Sequence, residues 1–297
     1  MKKIILAIAI TVLTISTVNA CEICGCGIGN YHIGMMPQFS KKFIGLRYQY
    51  RRFNTVMADD PTQFSHDYYK TLELWGGWNI GKRWQVIAIL PVNFIHQVSD
   101  DGTMNNQGLG DIALMVNYKV LDIKSKIKQQ LWLGTGVKLP TGKFNIDPAD
   151  PAVVAMANTQ TGSASTDFML NGTYNVTAGK LGITTSASYK MNTRNKDKYS
   201  FGNRFSISSF ASYTLGSEKF SVLPNIGLLY ENAAASKLDK VSVAQTGGNL
   251  LAGSLGLELG FKQFSIGTNV QLPISQSFAS GQTEMKVRGM LHLSYGF

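Results

Sequence analysis

From about residue 42 to the end, the chain alternates apolar and polar residues with a period of two. In Glu284–Phe297, one side carries Met285, Val287, Gly289, Leu291, Leu293, Tyr295 and Phe297. The other carries Lys286, Arg288, Met290, His292, Ser294 and Gly296. Leu251, Leu255, Leu257 and Leu259 oppose Ala252, Ser254, Gly256 and Glu258 in the same way. Successive side chains of an extended chain point to opposite faces, so each segment reads as a strand between two media. Twelve segments read this way: roughly 42–53, 67–80, 82–95, 109–121, 129–141, 164–176, 179–191, 201–215, 219–231, 248–260, 263–276 and 284–297. Most exceed the ~5–6 residues of a globular strand and suit a tilted membrane crossing. No apolar run after Cys21 approaches the ~18 residues of a spanning helix; the longest is Val86–Leu90. The fold class expected is therefore all-β: a transmembrane antiparallel up-and-down barrel of about twelve strands. A secreted β-sandwich is the alternative.

Connection lengths favour the barrel. Short links near Gly81, 123–128, 178–179, 216–218 and 261–262 alternate with longer ones near 54–66, 96–108, 142–163, 192–200, 232–247 and 277–283. Bacterial outer-membrane barrels have short periplasmic turns, longer outer loops and an even strand number. Both termini of the barrel then face the periplasm. Aromatics also collect near the strand ends. Trp78, Trp84, Tyr118, Tyr174, Tyr213, Phe220, Phe264, Tyr295 and Phe297 fall on the short-turn side, and Phe94, Tyr189, Phe205 and Tyr230 on the other. Such girdles sit at headgroup level. A terminal Phe297 closing an alternating strand resembles the signal read by the barrel-assembly machinery, an expected partner together with outer-membrane lipid. Charged residues are 15% of the chain, against about 25% in soluble domains. The formal charge of +10 suits anionic headgroups or solutes. No basic-aromatic nucleic-acid face or phosphate-binding glycine loop is legible.

Residues 1–20 read as a secretory signal peptide. Lys2 and Lys3 precede the apolar stretch Ile4–Ile15, and Val18-Asn19-Ala20 leads to Cys21. Residues 21–41 then form a Cys/Gly-rich periplasmic segment, and 42–297 the barrel. Val-Asn-Ala-Cys also resembles a lipoprotein cleavage box, which makes a lipid anchor on Cys21 one alternative.

Two segments carry candidate chemistry. Alternation turns polar residues inward, among them the expected pore-lining Arg47, Arg51, Glu73, Lys119, Lys138, Lys190, Arg204, Glu258, Lys286 and Arg288. Arg47 and Arg51 on the first strand meet Lys286 and Arg288 on the last when the barrel closes. Like charges on neighbouring strands repel, so this wall requires counter-ions such as Glu73, or an anionic ligand. The second segment is the mature N-terminus, where Cys21, Cys24 and Cys26 form C-x-x-C-x-C with His32 nearby. Thiolates favour Cu(I) or Zn(II), so these four are candidate metal ligands. A disulfide or an assembly role stays open beside that reading. No cofactor is required by the fold. Catalysis finds little support. His66 adjoins Ser65, but no third orienting group stands at readable spacing.

Leu109-Gly-Asp-Ile-Ala-Leu-Met-Val-Asn-Tyr-Lys119 followed by Leu133-Gly-Thr-Gly-Val-Lys-Leu-Pro-Thr-Gly142 resembles a family of outer-membrane channels named for the MetA pathway of phenol degradation. The pattern is a Gly-Asp-led strand, a turn, and a strand ending in Leu-Pro-Thr-Gly. The resemblance implies a barrel and passage of a small molecule, hydrophobic or aromatic, beside which the basic inner wall keeps an anionic solute as an alternative. The cysteine-rich N-terminus departs from it. The expected function is an outer-membrane channel for small solutes, gated or metal-linked through residues 21–41. A non-conducting structural or soft-metal-binding barrel is the rival, and a barrel hydrolase a minor one.

Overall fold

The computed structural model describes residues 42–145, 157–217 and 219–297. In chain order the strands are β1 (Phe43–Val56), β2 (Phe64–Ile80), β3 (Trp84–Ser99), β4 (Gly102–Leu109), β5 (Ala113–Lys124), β6 (Ile127–Lys138), β7 (Asp167–Ala178), β8 (Leu181–Met191), β9 (Tyr199–Ser200), β10 (Arg204–Tyr213), β11 (Leu215–Gly216), β12 (Phe220–Ala233), β13 (Lys237–Leu238), β14 (Val241–Ser242), β15 (Gly248–Phe261), β16 (Phe264–Phe278) and β17 (Thr283–Gly296). β4 and β5 both pair with β3 and share one position in the wall. β11 is a short continuation of β10 along β12. The wall is thus twelve antiparallel strands. β1 pairs with β17 from Phe43↔Gly296 to Thr55↔Thr283, and β10 pairs with both β8 and β12. The ring closes without a free edge, the condition for satisfying every ladder group in lipid. No helix among the described residues is long and apolar enough to cross a membrane.

The alternation sorts the two faces. Leu46, Leu74, Val116, Leu170, Ile183, Leu255, Leu272 and Leu291 stand exposed on the outside, while their sequence neighbours are buried or half-buried. The girdle aromatics Trp78, Trp84, Tyr174, Tyr213, Phe264 and Tyr295 are exposed toward the tight-turn end, and Phe94, Tyr189, Phe205 and Tyr230 toward the other.

Three features correct the sequence reading. The stretch 96–108 is not a loop. β3 and β4 continue as a hairpin, with Ser99 paired to Gly102 across a two-residue turn. The interior is not uniformly polar. One apolar cluster, including Phe53, Tyr69, Leu229, Leu250, Phe278 and Met285, lines the outer end. A second, including Phe43, Trp75, Ile87, Ile89, Met115 and Trp132, follows the wall from β1 to β7. Finally, the β1–β17 register slips between Arg52 and Phe53, where Arg52 faces Val287 and Phe53 faces Met285. Lys286 is the extra residue of this bulge. Beyond it Met285 and Thr283 are buried, and Lys286 is exposed and paired with exposed Glu284.

The outer loops add their own layer. β9, β13 and β14 form a three-stranded sheet. Phe144, Ala157 and Tyr199 are buried beneath it, with Phe201, Leu238 and Val243 packed alongside. A small apolar core therefore caps one side of the outer mouth.

Candidate functional site

The inner wall carries four charged knots. Arg47, buried in β1, donates through Nε to Glu73 of β2 and lies 4.7 Å over the Trp75 ring. Gln49 Nε2 donates to the same Glu73 oxygen at 2.8 Å. Arg51 and Arg288 face each other directly across β1 and β17. Arg288 turns away along the wall and grips Glu231 of β12 with two guanidinium nitrogens at 2.8 and 3.3 Å. Two strands, β16 and β15, separate β17 from β12, so this bidentate bond spans part of the lumen. His292 and Glu258 meet at 2.7 Å across β16. They do so over Gly267, where a Cβ would stand 2.0 Å from Glu258 Oε2 and 2.3 Å from His292 Nε2. An uncharged pair repeats the device: Asn171 Nδ2 donates to Asn117 Oδ1 at 2.8 Å over Gly134, whose Cβ would stand 1.9 Å from that oxygen.

The fourth knot explains the Gly-Asp and Leu-Pro-Thr-Gly motifs. The wall strand breaks at Gly110–Ile112, and Asp111 turns in to collect donors. Lys138 Nζ reaches it at 2.6 Å, Gly142 N–H at 3.0 Å, Ser163 N–H at 3.0 Å and the Ser163 hydroxyl at 2.6 Å. Thr141 repairs the broken ladder, its hydroxyl donating to Gly110 O at 2.8 Å and accepting from Ile112 N–H at 2.9 Å. Gly142 and Gly162 touch backbone to backbone, and a Cβ on either would lie 2.6 Å or less from the other. Lys138, fully buried, also binds Asp167 at 2.8 Å. The end of the β6–β7 loop is thereby clasped against the inner wall. Asn93 Nδ2 donates to Thr161 O at 2.8 Å and Asn106 Nδ2 to Thr159 O at 2.7 Å.

Of the remaining expected lining residues, Lys190 lies 3.5 Å from Asp167 and faces Arg204 across β8 and β10, both at the outer mouth. Lys119 stands apart near the tight-turn end, 4.8 Å over the Trp132 ring and 3.3 Å from Asp122. Lys286 is not among them, for the reason given above. Glu231, Ser163 and the bridging glycines were missed by the sequence reading. Glu231 lies on the inward alternation of its strand, at the last position read as strand. Cys21, Cys24, Cys26 and His32 lie outside the described residues, and among the described residues no group of three or more His, Cys, Asp or Glu side chains could hold a metal ion. Ser65 donates to Asp67 at 3.2 Å, while the His66 ring packs on Phe64. As consecutive strand residues they point to opposite faces.

A closed antiparallel barrel with an apolar belt, aromatic girdles and short turns on the side of its termini is an outer-membrane protein whose ends face the periplasm. The chain matches the family described as "Putative MetA-pathway of phenol degradation" over residues 62–277 and belongs to it. Among solved structures it is similar to an outer membrane channel from Pseudomonas putida F1, at 14% identity and a TM-score of 0.66, covering 91% of this chain and 100% of that one. It is also similar to the beta domain of the Bordetella autotransporter Brka, at 9% identity and a TM-score of 0.51, covering 86% and 100%. No curated protein sequence matches the chain. These neighbours are a channel and an autotransporter domain, and what the chain shares with them is the barrel fold.

Proposed function

We propose that the chain is a narrow outer-membrane channel for small solutes, whose path follows the charged inner wall from the Lys190–Arg204 mouth past Arg51, Arg288 and Arg47 toward Lys119. The observation that carries this reading is the wall itself. Its ionic groups are held by one another on strands all round the ring, from β1 and β2 through β6, β7 and β8 to β12, β15 and β17, with apolar side chains interleaved between them. A barrel serving only as an anchor has no use for so many desolvated charges, each costly unless paired. The bent-in β6–β7 loop supports a constriction at the outer mouth. Residues 1–20 act as a cleaved leader. Residues 21–41 enter from the periplasmic end, where β1 begins, and act as a plug or gate, with Cys21, Cys24, Cys26 and His32 able to bind Cu(I) or Zn(II). The barrel-assembly machinery inserts the protein.

A non-conducting barrel is the rival, favoured by the complete burial of Lys138 and near-complete burial of Arg47. Single-channel conductance of refolded protein starting at residue 21 or at residue 41 separates the two. Steady conductance that rises in the shorter form is expected. Closed bilayers from both forms, with folding verified, would overturn the channel.

A further inference from the structure

We infer that the membrane-facing surface of β1 and β2 holds the phosphate of an outer-leaflet lipid, between Arg52 and Lys70. Alternate residues of a barrel strand face the lumen and the membrane. Phe53 and Tyr69 are buried in the inner apolar cluster, so their neighbours Arg52, Tyr68 and Lys70 face outward. Tyr50, two residues before Arg52, shares that face. The β1–β2 ladder is regular here and pairs Tyr50 with Lys70 and Arg52 with Tyr68. The four side chains form a square, with the cations on one diagonal and the tyrosines on the other. Diagonal neighbours on adjacent strands stand about 7–8 Å apart, a span that one phosphate between two long side chains bridges.

The square lies at headgroup height. Next along the same two strands, toward the tight-turn end, come Tyr48 and Leu72 and then Leu46 and Leu74, all exposed members of the apolar belt. Lys70 is the register partner of Phe94, a residue of the outer aromatic girdle. On the opposite side of the ring the girdle row reads Leu170, Tyr189, Phe205 and Asn232, without a cation. The protein does not neutralise the two charges. Arg52 lies 5.5 Å over the Tyr68 ring, a contact that leaves the cation its full charge, and its shielded Nε has no hydrogen-bond acceptor. Lys70 is exposed and forms no ion pair among the described residues. Glu284, the exposed acid on adjoining β17, faces Asn54 and is taken by Lys286. Asp67 of β2 is buried on the inner face, where Ser65 and Gln97 donate to it. An anion between Arg52 and Lys70 relieves their mutual repulsion. The guanidinium fork matches phosphate geometry and the ammonium adds a point charge. A phosphate carried on acyl chains also gains the apolar belt directly beneath it, which a free phosphate does not, so the geometry favours a lipid.

Native mass spectrometry of the full folded protein, released from micelles with added diphosphoryl lipid A or with its dephosphorylated form, tests the site and requires no conduction. One spectrum reads both bound lipid and the number of chains. The diphosphoryl form should bind at least about tenfold tighter, and R52Q/K70Q should lose about tenfold or more of that affinity, as for lost charge-assisted hydrogen bonds. R52K/K70R should retain it, and K237Q in the outer ribbon should leave it unchanged. Heat-dependent gel mobility verifies folding, and the single variants serve if the double one does not fold. Equal binding of the two lipids or an unchanged R52Q/K70Q would overturn the site. Displacement of lipid A by millimolar inorganic phosphate would make it a free-phosphate site, and a two-chain species that R52Q/K70Q splits would give the face to a second copy. Either result overturns the lipid assignment.

Discussion

Gly267 and Gly134 let side chains two strands apart join hands across an intervening strand. Each sits on the inward face between its bridging partners, and any Cβ would occupy the space of the bond itself. Gly267→Ala should therefore part Glu258 from His292 and leave buried polar atoms unpartnered, at a cost of about 1–3 kcal/mol. Gly289→Ala is the comparison, since its nearest neighbour to a new Cβ is 4.0 Å away. Urea unfolding from lipid vesicles checks the pair: a midpoint lowered for Gly267→Ala and held for Gly289→Ala is the expected outcome. These positions were invisible in the sequence because a glycine's value there depends on residues far away in the chain. The pairing of Arg47 with Glu73 was legible, because both stand on adjacent strands at positions that alternation turns inward. Lys286 was read wrongly for a related reason. A period-two pattern has only two phases, and nothing local marks the residue at which a bulge exchanges them.

Most of the wall strands were legible to within a few residues of their ends, but the β3–β4 hairpin and the β6–β7 loop were not. Hydropathy reports which medium a side chain faces, and an outer-membrane strand faces two very different ones. It says nothing of a loop whose backbone carbonyls bond to the wall. β3 shows the limit within a strand: Ile87 and Ile89 are buried inside while Val86 and Ala88 face outward, so both faces are apolar and only the register assigns them. The Gly-Asp and Leu-Pro-Thr-Gly motifs gain a physical meaning as a clasp. Asp111→Ala removes the acceptor of four donors and leaves buried Lys138 with Asp167 and Ser163. Loss of about 3–5 kcal/mol is expected, as for a broken buried pair. The damage should be local first. Trypsin cleavage after exposed Lys143 should appear at enzyme levels the unaltered protein resists, and intact-mass analysis of the fragments reads it directly.

For the barrel as a body, lipid decides which exposed apolar side chains belong to the membrane. Leu255, in the middle of β15, and Val241, in the outer β14 ribbon, are similarly exposed at 65% and 70%. Leu255→Arg should cost about 2–4 kcal/mol of folding stability in vesicles, the depth-dependent cost of a cation in the hydrocarbon. Val241→Arg should cost little. Equal effects would remove the bilayer from the position assigned to it by the girdles.

The pairing of β1 with β17 has a consequence in time. The first wall strand and the last are neighbours, so β1 carries an open edge until β17 arrives. No intermediate made from a partial chain can be sealed, and the long sequence separation of this contact makes it slow to form. The unfinished sheet is sticky in the interval. The ring is therefore completed in one act, with Thr283–Gly296 as the zip that seals it.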